Sequence, residues 1–170
     1  FVAVERLEVD IALLRVPGLA LAPLHPCFGL GGTAGLLFLA VLALVFGLLG
    51  FSIALLGGGT VGAAVARGLV SRYEEWGIDI AGIAVRDVAK ATAAGLDRIA
   101  PLTTDPLALA GSDVDLVVEL MGGLDPALPV VEAALKAGRP VVTANKLLLA
   151  NFGARLESLA RASGAALRFE

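Results

Sequence analysis

The sequence predicts an α/β fold: a doubly wound parallel sheet preceded by an apolar segment that is expected to be helical. Three observations lead to this prediction. From about residue 51 onward, short β-branched runs alternate with amphipathic stretches, as βαβ units require. A glycine-rich turn follows the first of these runs. Between Arg15 and Arg67 there is no charged residue, so residues 1–50 differ sharply in composition from the rest of the chain.

Residues 1–50 are predicted to form an apolar extension, separate from a domain over residues 51–170. Within it, residues 34–51 are uncharged and long enough to cross a membrane. No Lys or Arg closely flanks this stretch to set an orientation, and it runs into the first strand almost without a linker. Three interpretations remain open: a membrane helix, an apolar helix packed on the domain or a partner, and a non-native extension. We expect a cytoplasmic protein, with membrane association through this apolar segment as the alternative.

The first half of the sheet is predicted from residues 52–104. The run 52–56 is apolar and leads into glycines, which is typical of a buried strand. A helix over 60–76 follows, because apolar residues recur at helical spacing from Val61 to Leu69. The remaining elements of this half alternate strand and helix: a strand at 78–85, a helix around 88–94 and a strand at 102–104.

The second half is predicted in the same way from residues 106–169. A brief helical turn at 106–110 precedes a strongly apolar strand at 115–120. A helix over 126–137 is closed by Gly138, and Pro140 just beyond it is a recognised stop signal. The last elements are a strand at 141–143, a helix at 146–162 ended by Ser163 and Gly164, and a strand at 167–169.

Composition makes several functions improbable. The net charge is −3, from 13 basic and 16 acidic residues, and no basic cluster indicates a nucleic-acid partner. Cys27 is the only cysteine, so an internal disulfide is impossible and no zinc-type spacing exists. His25 is the only histidine, which argues against a Ser-His-Asp triad or a histidine-based metal site.

The turn after the first strand fits the G-x-G-x-x-G pattern of dinucleotide-binding Rossmann domains. Gly57 allows the chain to turn sharply, Gly59 lets the backbone approach a pyrophosphate, and Gly62 lets the helix pack closely on the strand. The N–H groups near Thr60 and Val61 would point at the phosphates, and the helix dipole adds to the attraction. We predict that these five residues bind the cofactor.

The end of the second strand, about 20 residues beyond the glycines, normally contacts the adenosine ribose. Here it carries Arg86 and Asp87. Asp87 could accept from a ribose 2′-hydroxyl, which would favour NAD, whereas Arg86 could pair with a 2′-phosphate, which would favour NADP. We favour NADP with Arg86 as its ligand, although NAD remains open. Lys90 is a further basic candidate.

Three more segments are more specific than the general pattern of nucleotide-binding folds: 117–123 (VVELMGG), 141–146 (VVTANK) and 167–170 (LRFE). Together with the glycine turn and the Arg86-Asp87 end, their order and spacing resemble the amino-terminal domain of homoserine dehydrogenase over about residues 51–170. This resemblance implies an NAD(P)-dependent interconversion of L-homoserine and L-aspartate 4-semialdehyde, a step toward threonine, methionine and isoleucine.

The resemblance also implies roles for individual residues. Lys146 would lie beside the nicotinamide and the substrate, with parts in cofactor binding and catalysis. Gly122 would allow close approach to the nicotinamide ribose, and Thr143 and Asn145 would join the cofactor site. Glu170 would contribute to a sodium-type cation site. From the residues alone, Glu119 and Lys146 both lie at the carboxyl ends of predicted strands, the edge where ligands bind in open α/β sheets. Lys146 also begins a helix, where a cation is unfavourable, so a functional use is indicated.

By the same resemblance, hydride passes from NAD(P)H to the aldehyde, while Lys146 helps to orient cofactor and substrate. The acid/base lysine and the substrate carboxylates belong to a following domain, which we expect to be absent from these 170 residues. We therefore expect cofactor binding with little or no turnover, and a homo-oligomer when complete. The alternatives are a stand-alone NAD(P) sensor, anchored to a membrane or free, and another two-domain NAD(P) oxidoreductase.

Overall fold

Six parallel strands form the centre of the fold in the computed structural model, which describes residues 50–73 and 77–169. The strands are β1 (Phe51–Leu56), β2 (Ile78–Ala84), β3 (Leu102–Thr103), β4 (Leu116–Glu119), β5 (Val141–Thr143) and β6 (Leu167–Phe169). Their order in the sheet is β3-β2-β1-β4-β5-β6. The direction of winding therefore reverses between β1 and β4, as expected for a doubly wound sheet, and the predicted fold class is confirmed.

Five helices connect the strands: α1 (Thr60–Tyr73), α2 (Val88–Ala93), α3 (Pro106–Gly111), α4 (Ala127–Lys136) and α5 (Lys146–Ser163). A short 3₁₀ helix, Leu96–Arg98, was not predicted. Polar side chains cap three of the helices by accepting backbone N–H bonds: Asp87 caps α2, Asp105 caps α3 and Asn145 caps α5. Gly164, in the left-handed conformation, ends α5 as its sequence position predicted.

The core lies on both sides of the central strands. Every residue of β4 is buried, and in β1 only Ser52 is partly exposed. This pattern is typical of parallel strands that helices cover on both faces. An ion pair also joins two neighbouring helices: Glu132 of α4 lies 2.7 Å from the guanidinium of Arg155 in α5. The sheet and this contact fix the position of α5, which begins at Lys146.

The predicted boundaries that fall on described residues shift by at most one residue, and one shift affects the apolar extension. The predicted end of the first helix, at residue 76, lies outside the described residues. Phe51 belongs to β1 and is buried, so the last residue of the predicted span 34–51 is part of the sheet. Residues 1–49 lie outside the described residues, and so does the rest of that span apart from Gly50. Across residues 50–73 and 77–169, no helix has the length and apolar character needed to cross a bilayer.

Candidate functional site

The carboxyl ends of β1, β4 and β5 meet at one edge of the sheet. Leu56 pairs with Glu119, and Glu119 pairs with Thr143, so the three residues form a row across it. The glycine turn follows Leu56, the loop 120–123 follows Glu119, and α5 begins three residues after Thr143. Ligands of open α/β sheets bind at this edge, near the point where the winding reverses. The topology thus brings together the residues that the sequence assigned to one site.

Two glycines of the turn are required by the fold itself. Gly57 has φ +114°, and a Cβ there would lie 2.6 Å from the carbonyl oxygen of Leu120. A Cβ at Gly62 would overlap the carbonyl oxygen of Gly57. The turn therefore packs against the loop after β4 on one side and against α1 on the other. Both positions must remain without a side chain for the strand, turn and helix to fit together.

Gly59 is different, because a Cβ placed there would meet no atom of residues 50–73 and 77–169 within 4 Å. Its backbone borders open space at the start of α1, where Thr60 and Val61 form the first turn of the helix. The first N–H groups of a helix have no partner within it, and they carry the positive end of its dipole. Val61 is apolar yet 57% exposed beside them. This geometry leaves room for an anionic group against bare backbone.

At the end of β2, Arg86 and Asp87 are both exposed but are engaged differently. One carboxylate oxygen of Asp87 accepts the backbone N–H of Lys90 at 2.9 Å and caps α2. Within the part of the chain that the structure describes, the Arg86 side chain has no hydrogen-bond or ion-pair partner. The structure thus gives Asp87 a local role in the helix and leaves the guanidinium of Arg86 available to a ligand.

Glu119 is a fully buried carboxylate at the end of β4. Its Oε1 accepts the backbone N–H of Met121 at 2.8 Å and that of Gly122 at 3.3 Å. Its Oε2 accepts the hydroxyl of Thr143, also fully buried, at 2.5 Å. Both oxygens are therefore occupied, and the carboxylate joins the loop after β4 to the end of β5. A buried charge needs such partners to offset its lost hydration.

The network continues from Thr143 into α5. The Thr143 hydroxyl accepts the N–H of Asn145 at 3.0 Å. The Asn145 side chain caps α5 by accepting the N–H of Leu148 at 3.1 Å, and it donates to the carbonyl of Gly123 at 2.6 Å. The polar groups of Thr143 and Asn145 thus face protein atoms. Lys146, the first residue of α5, is exposed and has no partner within residues 50–73 and 77–169.

The loop held by this network is itself exposed. Gly122 and Gly123 adopt φ angles of +71° and +74°, and Cβ atoms added there would meet none of the described residues within 4 Å. Their backbone borders open space, as at Gly59, although the left-handed conformation still favours glycine. Glu170, predicted to bind a cation, lies outside the described residues. Among the residues that are described, no group of three or more His, Cys, Asp and Glu side chains could hold a metal ion.

Sequence reasoning noted Glu119 at the edge of the sheet but did not identify its partners. A signal was present, because Glu119 ends an otherwise apolar strand and charged groups are seldom fully buried without partners. The partners could not be named from sequence, because Thr143 lies 24 positions away and meets Glu119 only through the pairing of β4 with β5.

The strand order and the glycine turn define this domain as a dinucleotide-binding Rossmann domain. A family model described as "Homoserine dehydrogenase, NAD binding domain" matches residues 57–170. The chain belongs to this family, and the resemblance noted from its motifs is confirmed. The family assignment supports binding of NAD(P).

Named relatives agree with the family assignment. Homoserine dehydrogenase of Corynebacterium glutamicum is 44% identical over 127 residues, which are 69% of this chain and 28% of that protein. The Lactococcus lactis enzyme is 38% identical over 128 residues, covering 70% of this chain and 30% of that protein. The chain thus spans less than a third of these relatives. They support the enzyme family rather than a stand-alone sensor.

Solved structures show the same likeness. A homoserine dehydrogenase from Thiobacillus denitrificans matches with a TM-score of 0.64 and 39% identity, covering 71% of this chain and 29% of that one. The Staphylococcus aureus enzyme at pH 8.5 matches with a TM-score of 0.64 and 38% identity, covering 71% of this chain and 32% of that one. A biliverdin reductase from Synechocystis, solved with biliverdin and NADP+, has a TM-score of 0.59 and 25% identity, covering 70% of this chain and 37% of that one.

Proposed function

We propose that this chain is the cofactor-binding part of a homoserine dehydrogenase that interconverts L-homoserine and L-aspartate 4-semialdehyde. The family match and the named relatives support this proposal. The single observation that carries it is the open space at Gly59, where bare backbone and the first turn of α1 border room for an anion. When bound, NAD(P)H supplies the hydride that the whole enzyme transfers.

In this proposal the glycine turn binds the pyrophosphate. Gly57 and Gly62 hold the turn tightly against its neighbours, so that Gly59, Thr60 and Val61 present their backbone to the phosphates. Backbone N–H groups that are fixed before binding need no reordering when the ligand arrives, which lowers the entropic cost of association. The exposed apolar side chain of Val61 is suited to cover part of the cofactor from water.

Arg86 would select NADP over NAD. A guanidinium forms strong, bidentate bonds to a phosphate, and the Arg86 side chain is exposed and available. Asp87 is the residue that would otherwise favour the 2′-hydroxyl of NAD, but one of its oxygens already caps α2. This engagement supports NADP as the preferred cofactor.

At the other end of the cofactor we assign Gly122, Thr143, Asn145 and Lys146 to the nicotinamide side. Gly122 offers exposed backbone, and the exposed ammonium of Lys146 would bind cofactor or substrate oxygens. Thr143 and Asn145 would contribute indirectly, because their side chains tie the start of α5 to Glu119 and Gly123. Lys146 sits at the positive end of the α5 dipole, so a bound anionic or polar group would lower the cost of placing a cation there.

The remaining assignments depend on the family resemblance alone. Glu170 would provide one ligand to a sodium-type cation, and its other ligands would come from further protein. The complete enzyme would be a cytoplasmic homo-oligomer that binds homoserine or the semialdehyde in a second domain.

A pair of glycine substitutions in α1 and its turn tests the proposal. Gly59→Ala adds a methyl group that meets no atom in the described part of the chain but enters the proposed pyrophosphate space. Nicotinamide fluorescence on titration with NADPH should show at least about tenfold weaker binding. The free energy of unfolding should stay constant or rise by up to about 1 kcal/mol, since alanine restricts the unfolded chain.

Gly68→Ala is the matched control, because Gly68 lies in α1 and its added Cβ also meets nothing within 4 Å. It should leave NADPH affinity unchanged. Equal NADPH binding by the Gly59 variant and the unmodified chain would contradict the pyrophosphate assignment.

A further inference from the structure

Although Glu119 is buried, its side chain holds two segments that lead to exposed backbone, one through each carboxylate oxygen. Through Oε1 it holds the N–H groups of Met121 and Gly122, and through Oε2 it holds Thr143. Its own backbone carbonyl also accepts the N–H of Ala144 at 3.3 Å. The loop 120–123 and the segment that leads into α5, which border the proposed nicotinamide site, are therefore both attached to Glu119.

The attachments leave little freedom to the exposed groups. Gly122 and Gly123 are held in the left-handed conformation by bonds at both ends, to Glu119 and to the Asn145 side chain. Asn145 also caps α5 and so sets where Lys146 begins the helix. The distance between the Gly122-Gly123 backbone and Lys146 is consequently set by a hydrogen-bond chain whose centre is Glu119.

We propose that Glu119 is a positioning residue for the nicotinamide half of the cofactor. This inference rests on the proposed function, but it assigns to Glu119 a role that neither the glycine turn nor Lys146 provides. Glu119 is fully buried, and both of its carboxylate oxygens are occupied by protein donors. It acts by holding the loop 120–123 and the start of α5 in one arrangement before the cofactor binds.

Glu119→Gln changes the hydrogen bonding while keeping the shape. The site needs an acceptor on both sides, because backbone N–H groups face Oε1 and a hydroxyl proton faces Oε2. An amide has one acceptor oxygen and one donor NH₂ group. In the glutamine variant, either the backbone N–H groups of the loop or the Thr143 hydroxyl therefore loses an acceptor. The loop 120–123 and the start of α5 should then no longer keep the same relative positions.

Two ligands separate positioning from general stability. NADPH spans the whole edge, whereas 2′-phospho-ADP carries the adenosine half and the pyrophosphate but neither the nicotinamide nor its ribose. Glu119→Gln should weaken NADPH binding by about tenfold, the effect of roughly one lost hydrogen bond, and change binding of the analogue by less than about twofold. Titration calorimetry of the full 170-residue chain measures both affinities.

Thr143 provides a second pair of variants that does not depend on Glu119→Gln folding. Thr143→Val keeps the branched shape in β5 but removes the hydroxyl that joins Glu119 to Asn145, whereas Thr143→Ser keeps a hydroxyl. The valine variant should lose NADPH affinity selectively, and the serine variant, which keeps the hydroxyl, should lose clearly less than the valine variant.

The outcomes separate the two proposals. If the unmodified chain binds both ligands, but Glu119→Gln and Thr143→Val weaken both equally or neither, the positioning role is wrong and the proposed function stands. If Glu119→Gln does not fold, the comparison of Thr143→Val with Thr143→Ser decides the matter in the same way. If the unmodified chain binds neither ligand, the proposed function fails and the positioning role fails with it.

Discussion

At the residue scale, the glycines of the turn are used for two different reasons. Gly57 and Gly62 are required because neighbouring backbone would clash with a side chain. Gly59 borders open space among the described residues and does not have a left-handed φ, so neither a neighbouring atom nor its backbone conformation explains the missing side chain. Positions of the first kind affect folding, whereas positions of the second kind are expected to affect binding.

Arg86 allows a prediction at the same scale. Arg86→Ala should weaken NADPH binding by about 10- to 100-fold, because charge-assisted hydrogen bonds contribute roughly 1.5–3 kcal/mol each. NADH binding should hardly change, since NADH has no 2′-phosphate. Parallel fluorescence titrations with the two nucleotides measure the ratio of their affinities.

The control is Arg161→Ala, which removes the same charge from the last turn of α5, near the opposite edge of the sheet. It should leave both affinities unchanged. If Arg86→Ala instead weakens NADH and NADPH equally, Arg86 does not contact the 2′-phosphate.

At the scale of elements, α5 begins where its hydrogen bonds dictate. The side chain of Asn145 is both the N-cap and the link to Gly123. Asn145→Ala should lower the free energy of unfolding by about 1–2 kcal/mol, because it removes the cap and leaves a carbonyl of the loop without its donor. Urea denaturation followed by circular dichroism measures this change.

Asn151 supplies the matched control within the same helix. It lies on the exposed surface of α5, where its side chain donates to the carbonyl of Leu147. Asn151→Ala should alter stability by less than about 0.5 kcal/mol, since alanine has the higher helix propensity. Similar losses at positions 145 and 151 would show that the cap does not stabilise α5 in particular.

At the scale of the whole molecule, the proposed function assigns to the described domain the cofactor side of the reaction. The chain spans 28% of the Corynebacterium relative, and the resemblance places the acid/base lysine and substrate carboxylates in a following domain. The 170-residue polypeptide assayed alone should therefore bind NADPH without oxidising homoserine. The absorbance of reduced nicotinamide, followed with NADP+ and homoserine, tests this prediction.

A complete homoserine dehydrogenase, assayed separately under the same conditions, controls for the reagents. Homoserine-dependent production of NADPH by the 170-residue polypeptide would show that these residues suffice for catalysis, and the assignment of acid/base chemistry to another domain would be wrong.

The sequence by itself determined the element order and the glycine turn. Parallel strands buried on both faces must be apolar runs, and the helices between them must carry one apolar face, so their periods are visible in the residues. The pattern of Gly57, Gly59 and Gly62 could also be recognised in the sequence, because their spacing reflects the local backbone geometry of the turn.

Only the tertiary structure decided how the site is held together. Sequence placed Glu119, Thr143 and Lys146 near one edge, but the pairing of β4 with β5 brings Glu119 and Thr143 into hydrogen-bond contact. Contacts between residues far apart in the chain depend on strand register, and register is set by packing over the whole sheet rather than by the neighbouring residues.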